Sequence, residues 1–239
     1  MKSPKTQKGN PHKITKNQHV FPAASIKRFV NSKGFVELKI KRLYNALPFR
    51  PNDSIFCKKR EWDQRAETGY MRSIEDSFQA IASKIDRGEL IDLSSDDNHR
   101  ILQFYALWDL RYSSRPLEDI ELIGVQPGSG LSQDSEEILE SKHCMVTKKI
   151  DNKCFLPGRF INGSNIQVNI DRIMHKYNGL KWGVVRSISG EFIVPDNFNK
   201  TTIIPISPKV ILLGGSKNLD VSHDEVSKVN RLAIASSSK

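Results

Sequence analysis

Four polar side chains that lie far apart in the chain could act together in acid–base chemistry and charge stabilisation: His19, Glu75, Arg111 and Asp196. An imidazole titrates near neutrality, so His19 can act as a general acid, a general base or a ligand. It stands in the stretch Asn17–Pro22, between a lysine-rich segment and the first residues able to enter a core. A single histidine is more often structural, and its spacing alone leaves both roles open.

Glu75 and Arg111 interrupt the apolar faces of two predicted helices. Over residues 68–85 apolar side chains recur at three- and four-residue steps, and Glu75 falls within this face or at its edge. In the next helix, Arg111 continues an aromatic stripe that includes Trp108. Because a buried charge needs a partner, we predict a Glu75–Arg111 ion pair, whose place on core faces favours a specific role. The alternative is that Arg111 extends towards solvent and Glu75 lies at a wet edge.

Asp196 follows a short apolar run and a proline, where the end of a strand can direct a carboxylate into a cleft. There it could hold a hydrated divalent ion such as Mg²⁺. The pair Asp196–Asn197 could equally form an Asx turn. The histidines and cysteines lack the spacing of a zinc site, no serine nucleophile elbow is present, and Gly128–Gly130 is too short for a phosphate-binding loop. We therefore assign no metal cluster built from these side chains.

The pattern of apolar residues around these groups predicts an α+β fold. It has an N-terminal strand, central helices and a mostly antiparallel C-terminal sheet. Residues 45–60 are predicted to be a loop. A hairpin turn is expected at Ser189–Gly190, and Ser222 is expected to cap the last helix. The predicted helices cover residues 68–85, 94–115, 135–147 and 224–235. The predicted strands cover residues 35–40, 160–161, 166–170, 182–185, 191–194, 203–204 and 210–213.

Charge is distributed unevenly along the chain. The net charge is +10, yet residues 1–60 hold fifteen Lys or Arg against Glu37 and Asp53, which is +13 and leaves −3 for the remainder. We expect residues 1–16 to be a disordered basic tail and residues 17–239 to be a single domain. The basic end favours nucleic acid as a partner, with Lys13, Lys16, Lys27 and Arg28 contacting phosphates; the alternative is a solubilising tail.

Two further features bear on the compartment. The three cysteines have neither a disulfide framework nor a CxxC pattern, so the expected compartment is the reducing cytoplasm. No apolar run approaches the roughly 20 residues that cross a bilayer, and we expect no membrane partner.

The order of short motifs resembles a widespread, mostly bacterial domain of unknown function that is known for an N-terminal His-Tyr-Val-Pro motif. That motif stands here as His19-Val20-Phe21-Pro22. The other similar blocks are Ile26–Phe29, Ser73–Glu75, Trp108–Arg111, Phe192–Asn197 and Pro205–Pro208. Two departures are the Val20 in place of tyrosine and the loss of the family's hydroxyls before Asp196. The family carries no settled activity; the resemblance implies that His19, Glu75, Arg111 and Asp196 converge in one cleft.

These patterns favour an intracellular nuclease, or a nuclease-like toxin of phage defence with a partner or antitoxin protein, acting on a phosphodiester. His19 would be the general acid or base, Arg111 would stabilise developing phosphate charge, and Glu75 would orient one of them. Two alternatives stay open. One is a non-catalytic module that binds nucleic acid or protein, and the other is an enzyme that acts on a small nucleotide, with Arg111 as the phosphate clamp.

Overall fold

A computed structural model describes residues 5–40, 45–198 and 201–237 of the chain. The helices are Ala23–Ile26 (α1), Gln64–Ala66 (α2), Arg72–Asp86 (α3), Ser95–Ser113 (α4), Gln133–Ser141 (α5), Gly158–Lys176 (α6) and His223–Ser236 (α7). The strands are Asn17–His19 (β1), Val36–Leu38 (β2), Leu47–Phe49 (β3), Cys57–Lys59 (β4), Ile120–Glu121 (β5), Lys148–Ile150 (β6), Lys153–Leu156 (β7), Trp182–Ser187 (β8), Ile203–Ser207 (β9), Val210–Gly214 (β10) and Leu219–Val221 (β11).

The C-terminal sheet confirms the predicted α+β class. Its strand order is β11-β8-β10-β9, with β10 antiparallel to both β8 and β9 and β11 parallel to β8. Every residue of β9 is buried, because helix α3 covers this part of the sheet. Among the described residues, the other strands form two antiparallel pairs, β1–β4 and β2–β3, and one three-stranded antiparallel sheet, β5–β7–β6.

Helix α4 lies at the centre of the core, packed between α3 and α6. It begins at the predicted cap, where the Ser94 hydroxyl accepts the Asp97 N–H and the Asp97 carboxylate accepts the Ser94 N–H. This reciprocal capping box satisfies backbone donors that a helix start leaves unpaired. Phe104 stacks on Phe78 of α3, with ring centroids 3.6 Å apart. Arg111 lies in the last turn of α4, so the position of its guanidinium is fixed by this packing.

The helix predicted over residues 68–85 begins earlier and contains a π-helical turn. The chain enters α2 at Gln64, passes through the π-helical segment Glu67–Met71 and continues as α3. Gly69 leaves helical geometry inside that segment, with φ −96° and ψ −112°. Thr68, predicted to be the cap, lies inside the helix, and its hydroxyl donates to the Gln64 carbonyl at 2.9 Å.

Helix α6 corrects the prediction of strands over residues 160–161 and 166–170. Its buried side chains include Ile166 and Ile170, which lie four residues apart and so fit a helical face as well as an alternating strand. Val168 between them is 52% exposed, as the helical period requires. Gly163 lets α6 approach Asp63, because a Cβ there would lie 2.0 Å from the Asp63 Oδ1.

Three smaller predictions also differ from the structure. The proposed loop 45–60 contains β3 and β4, which pair with β2 and β1. Residues 191–194 form no strand: Phe192 is buried in the core and the Ile193 N–H donates to Asn230 of α7. Helix α5 ends at Ser141 instead of residue 147, shortly before His143 adopts the left-handed conformation at φ 67°.

The prediction of a disordered tail does not hold for residues 5–16; residues 1–4 lie outside the described residues. Ile14 is 2% exposed, and the Thr15 N–H donates to Gln64. The Gln7 N–H donates to Glu137, and His12 Nε2 lies 2.7 Å from Asp134 Oδ1. The acidic first turns of α5 thus hold the basic segment by complementary charge and hydrogen bonds, which composition alone does not reveal.

No helix among the described residues is long and apolar enough to cross a bilayer. The cysteines Cys57, Cys144 and Cys154 are all free.

We predict that Ile14→Ala lowers the free energy of unfolding by about 2–4 kcal/mol, because it opens a cavity beneath the N-terminal segment. Chemical denaturation measures this change. Ile188→Ala is the matched control, since Ile188 is 75% exposed; we expect it to change stability by less than about 0.5 kcal/mol. Equal, small effects of both variants would show that residues 5–16 do not pack on the domain.

Candidate active site

The site is built on the two-stranded ribbon of β1 and β4. Asn17 lies opposite Lys59, Gln18 opposite Lys58 and His19 opposite Cys57. Gln18, 1% exposed, fixes which face points inward: its amide donates to the Trp62 carbonyl and its carbonyl accepts the Glu61 and Trp62 N–H groups. Since side chains alternate along a strand, Asn17 and His19 lie on the opposite face.

Arg111 lies beside β1 and joins four segments of the chain. Its Nη1 forms an ion pair with Glu75 Oε1 and donates to the main-chain carbonyl of His19 at 3.3 Å. Its Nη2 lies 3.6 Å from Glu67 Oε2, and its guanidinium lies over the Trp62 ring, 5.3 Å from the ring centroid. The predicted Glu75–Arg111 pair is therefore confirmed, and Arg111, 2% exposed, does not reach solvent.

Glu67 completes this cluster and was not predicted from the sequence. Two residues eight apart on a regular α-helix differ by about 80° around the axis. The chain is not regular here, because Gly69 leaves helical geometry inside the segment Glu67–Met71, and both Glu67 and Glu75 face Arg111. The signal in the sequence is the spacing of the two glutamates across Gly69, which interrupts the helical pattern.

The Arg111 cluster holds more negative than positive formal charge, because two carboxylates share one guanidinium. Burial raises the pKa of Glu67, and the negative charge of Glu75 adds to this effect. Arg111, the hydrogen bond from Trp62 Nε1 at 2.5 Å and the nearby His19 act in the opposite direction but do not cancel it. Glu67 therefore retains a proton more readily than an ordinary glutamate does.

The His19 ring has a defined tautomer. Its Nε2 lies 3.1 Å from the Pro51 carbonyl oxygen. A carbonyl can only accept a hydrogen bond, so Nε2 carries the proton and Nδ1 of the neutral ring holds the lone pair. The ring is half-buried, and Nδ1 is the basic atom of this site.

Cys57, opposite His19 on the ribbon, is not suited to be the nucleophile of a Cys–His pair. Burial, together with the negative charge of Glu67, raises the pKa of its thiol to about 11. A thiol rather than a thiolate therefore faces His19 at neutral pH, and the thiolate is the reactive species.

Asp196 is placed by a different contact. Its Oδ1 accepts the N–H of Asn197 at 3.0 Å, and the Asn197 side chain donates to Asp109 of α4 at 3.1 Å. Asp109 and Arg111 are two residues apart, about 200° around the helix axis. The loop of Asp196 thus meets a different face of α4, while His19, Glu75 and Arg111 come together as expected.

The four basic residues expected to contact phosphates are not equivalent. Lys13, Lys16 and Lys27 are exposed. Arg28 is half-buried, and its Nη2 donates to the Gln79 carbonyl and the Ser83 hydroxyl of α3. Burial lowers the pKa of Arg28, and its hydrogen bonds indicate a structural role. Lys59 is exposed beside Asn17 on the face of the ribbon that carries His19. It was not among the predicted phosphate contacts.

Within the ranges that the structure describes, no group of three or more His, Cys, Asp or Glu side chains is arranged to hold a metal ion.

Comparison with known proteins gives no relative: no family model, no curated protein and no solved structure matches this chain. The family resemblance of the His19-Val20-Phe21-Pro22 motif therefore remains an expectation from its residues.

We predict that Glu67→Gln raises stability at neutral pH. A folded-state pKa above the ordinary value of about 4.5 means that folding favours the protonated form. The contribution of Glu67 is fully present below about pH 4.5 and is lost as pH rises through the folded-state pKa. Glutamine mimics the protonated form and still accepts from Trp62, so the variant should match wild type near about pH 4 and exceed it near about pH 8. Urea unfolding at both pH values measures this difference.

Glu75→Gln is the matched control and should have the opposite sign. It removes the direct partner of a buried arginine, which costs about 3–5 kcal/mol near neutral pH. Without the Glu75 charge, the pKa of Glu67 should also fall. A Glu67→Gln variant that is less stable than wild type at about pH 8 would contradict the assignment of the proton to Glu67.

Proposed function

We propose that the protein is a phosphodiester hydrolase whose active site is the face of the β1–β4 ribbon that carries His19. The observation that carries this proposal is that one arginine, Arg111, contacts both the main chain of His19 and the carboxyl group of Glu67. His19 presents Nδ1 as a base, and Glu67 favours its protonated form. A group that can accept a proton and a group that can supply one are what general acid–base catalysis needs.

In the proposed reaction, His19 Nδ1 accepts the proton of the attacking hydroxyl or water as the new P–O bond forms. The bond to the leaving oxygen breaks, and Glu67 supplies the proton that this oxygen takes up. The proton taken by His19 then passes to Glu67, directly or through solvent, which restores the site. Each group acts as in a general acid–base pair, worth about 10²–10⁴-fold in rate.

The structure supports a revised role for Arg111. The sequence suggested that it stabilises developing phosphate charge, but two carboxylates, a main-chain carbonyl and Trp62 already surround its guanidinium. We assign Arg111 and Glu75 as positioning residues that hold β1 and Glu67. Lys59, exposed on this face of the ribbon, and Lys16, an exposed residue just before β1, are the cations that we assign to phosphate.

The biological role proposed from the sequence, a toxin or phage-defence effector in the cytoplasm with an antitoxin partner, rests on this activity. A divalent ion such as Mg²⁺ at Asp196 is part of the same proposal. Both are tested by assays with and without metal and by the growth of cells that express the protein.

The test of the activity is incubation of the pure protein with single-stranded RNA and DNA, with and without magnesium or manganese. We expect cleavage by wild type and a rate loss of roughly 10²–10⁴-fold for His19→Ala. His175→Ala is the control, because His175 is an exposed residue of α6. Absence of cleavage by wild type, or equal rates for wild type and His19→Ala, would refute the proposal. Turnover of small nucleotides alone would assign the site to that substrate class instead.

A second candidate function is a module that binds nucleic acid without cleaving it. The observation that favours it is the burial of Arg111, since so enclosed a cluster also serves to fix the ribbon. In this case the exposed lysines carry the function and His19 contributes to stability only.

Salt dependence tests the binding surface, which both candidates share. The Lys16→Gln/Lys59→Gln double variant should reduce the slope of log affinity against log salt concentration by about 1–2, because up to two phosphate contacts are lost. Arg28→Gln should leave that slope unchanged and lower the melting temperature, since Arg28 bonds to α3. Fluorescence anisotropy with a labelled oligonucleotide measures the slope. Binding that is indifferent to salt would remove nucleic acid as the partner.

A further inference from the structure

A separate polar cavity lies where the N-terminal segment crosses helix α5, and it uses no residue of the His19 face. Its volume is about 210 Å³, several times the roughly 30 Å³ that one water molecule occupies in the liquid. Four cationic side chains line it: Lys5, Arg60, Lys148 and Arg159. Gln133, Glu136 and Glu137 from the first turns of α5 complete the lining.

The floor of the cavity is a buried ionic triad. The Arg60 Nη2 and Arg159 Nη2 both donate to Glu140 Oε2 at 2.7 Å, and Arg159 Nε also donates to this carboxylate. Burial opposes ionisation of Glu140, but the two arginines outweigh it and hold the pKa of this carboxyl below its ordinary value. Two guanidinium groups therefore share one carboxylate, which leaves a formal charge of +1 on the triad.

Two buried polar atoms of the lining residues have no hydrogen-bond partner. One is Arg60 Nε, on a side chain that is 5% exposed, and it can only donate. The other is Glu137 Oε2, on a side chain that is 2% exposed. The second oxygen of Glu137 is already bound, because its Oε1 accepts from the Gln7 N–H and from the Gln133 amide. Arg60 and Glu137, which both line the cavity, thus each keep one buried polar atom unpaired close to four cations.

We propose that this cavity binds a phosphate group that carries a proton, as inorganic phosphate or as a phosphate monoester. Its ionised oxygens pair with Arg60, Arg159 and the rim lysines, which suit phosphate by charge and geometry. Its P–OH donates to Glu137 Oε2, so both unpartnered atoms are satisfied. A phosphodiester and sulfate have no such proton at neutral pH and would place an oxygen lone pair against the Glu137 carboxylate. The acidic residue in a basic cavity therefore selects for protonated phosphate.

Isothermal titration calorimetry at constant ionic strength tests this selectivity directly. Sodium phosphate should bind the full-length protein at about pH 6 at least 10-fold more tightly than sodium sulfate. Glu137→Gln should bring the two anions to within about 3-fold of each other, because a glutamine amide can donate to an oxygen that lacks a proton. Equal binding of phosphate and sulfate by wild type, or no heat with phosphate at millimolar concentration, would overturn the proposal.

A second pair of variants covers the case in which Glu137→Gln fails to fold, since Glu137 is buried. Lys148→Gln at the rim should weaken phosphate binding several-fold, while Lys149→Gln, an exposed neighbour that does not line the cavity, should leave it unchanged. Equal effects of these two variants would show a diffuse charge effect and contradict a defined site.

The source of the phosphate group is distinguished by pH and by ligand. A monoester loses its last proton near about pH 6, whereas inorganic phosphate still carries one proton at about pH 8. We expect an oligonucleotide with a terminal phosphate to compete with inorganic phosphate at about pH 6 but not at about pH 8, if monoesters are the ligand. If only inorganic phosphate binds, it should do so at both pH values, while the oligonucleotide competes at neither. A hydroxyl-terminated oligonucleotide should not compete; competition by it would refute the selection for a protonated group.

Discussion

The need to compensate the buried charge of Arg111 is the constraint on which the candidate site depends. Moving a guanidinium into a poorly solvated interior costs several kcal/mol, and only well-placed acceptors offset this cost. Glu67, Glu75 and the His19 carbonyl are those acceptors, and they come from segments that are distant in sequence. Because the arginine is fixed by the packing of α4 between α3 and α6, its acceptors fix the β1–β4 ribbon relative to the core.

The sequence allows this pair to be predicted but not the full cluster. Glu75 and Arg111 each fall on an apolar helix face, and a buried charge must find a partner, so their pairing follows from two local patterns. Glu67 depends on a π-helical turn, which an argument based on a period of 3.6 residues cannot place. The convergence of Asp196 with the others was implied only by the family resemblance. Its contact through Asn197 is set by tertiary packing on α4.

The wrong predictions of secondary structure have a similar cause. Ile166 and Ile170 fit both a helix and a strand, and only the length of α6 and the exposure of Val168 separate the two. Residues 5–16 are polar enough to be disordered alone, but Ile14 is buried and residues of α5 hydrogen-bond to Gln7 and His12. In both cases the decisive energy lies in contacts made with residues that are far away in sequence, and local composition carries no information about them.

The charge balance of the two buried arginine sites argues for different chemistry at each. Around Arg111 two carboxylates face one guanidinium, so the site has a surplus acceptor that favours holding a proton on Glu67. Around Glu140 two guanidinium groups face one carboxylate. This triad therefore has a net positive charge, which favours the binding of an anion. At the first site, Arg111 binds the main-chain carbonyl of His19 and not its ring. The ring makes its own contact through Nε2 to the Pro51 carbonyl, and Nδ1 is the atom that the proposed reaction uses for proton transfer.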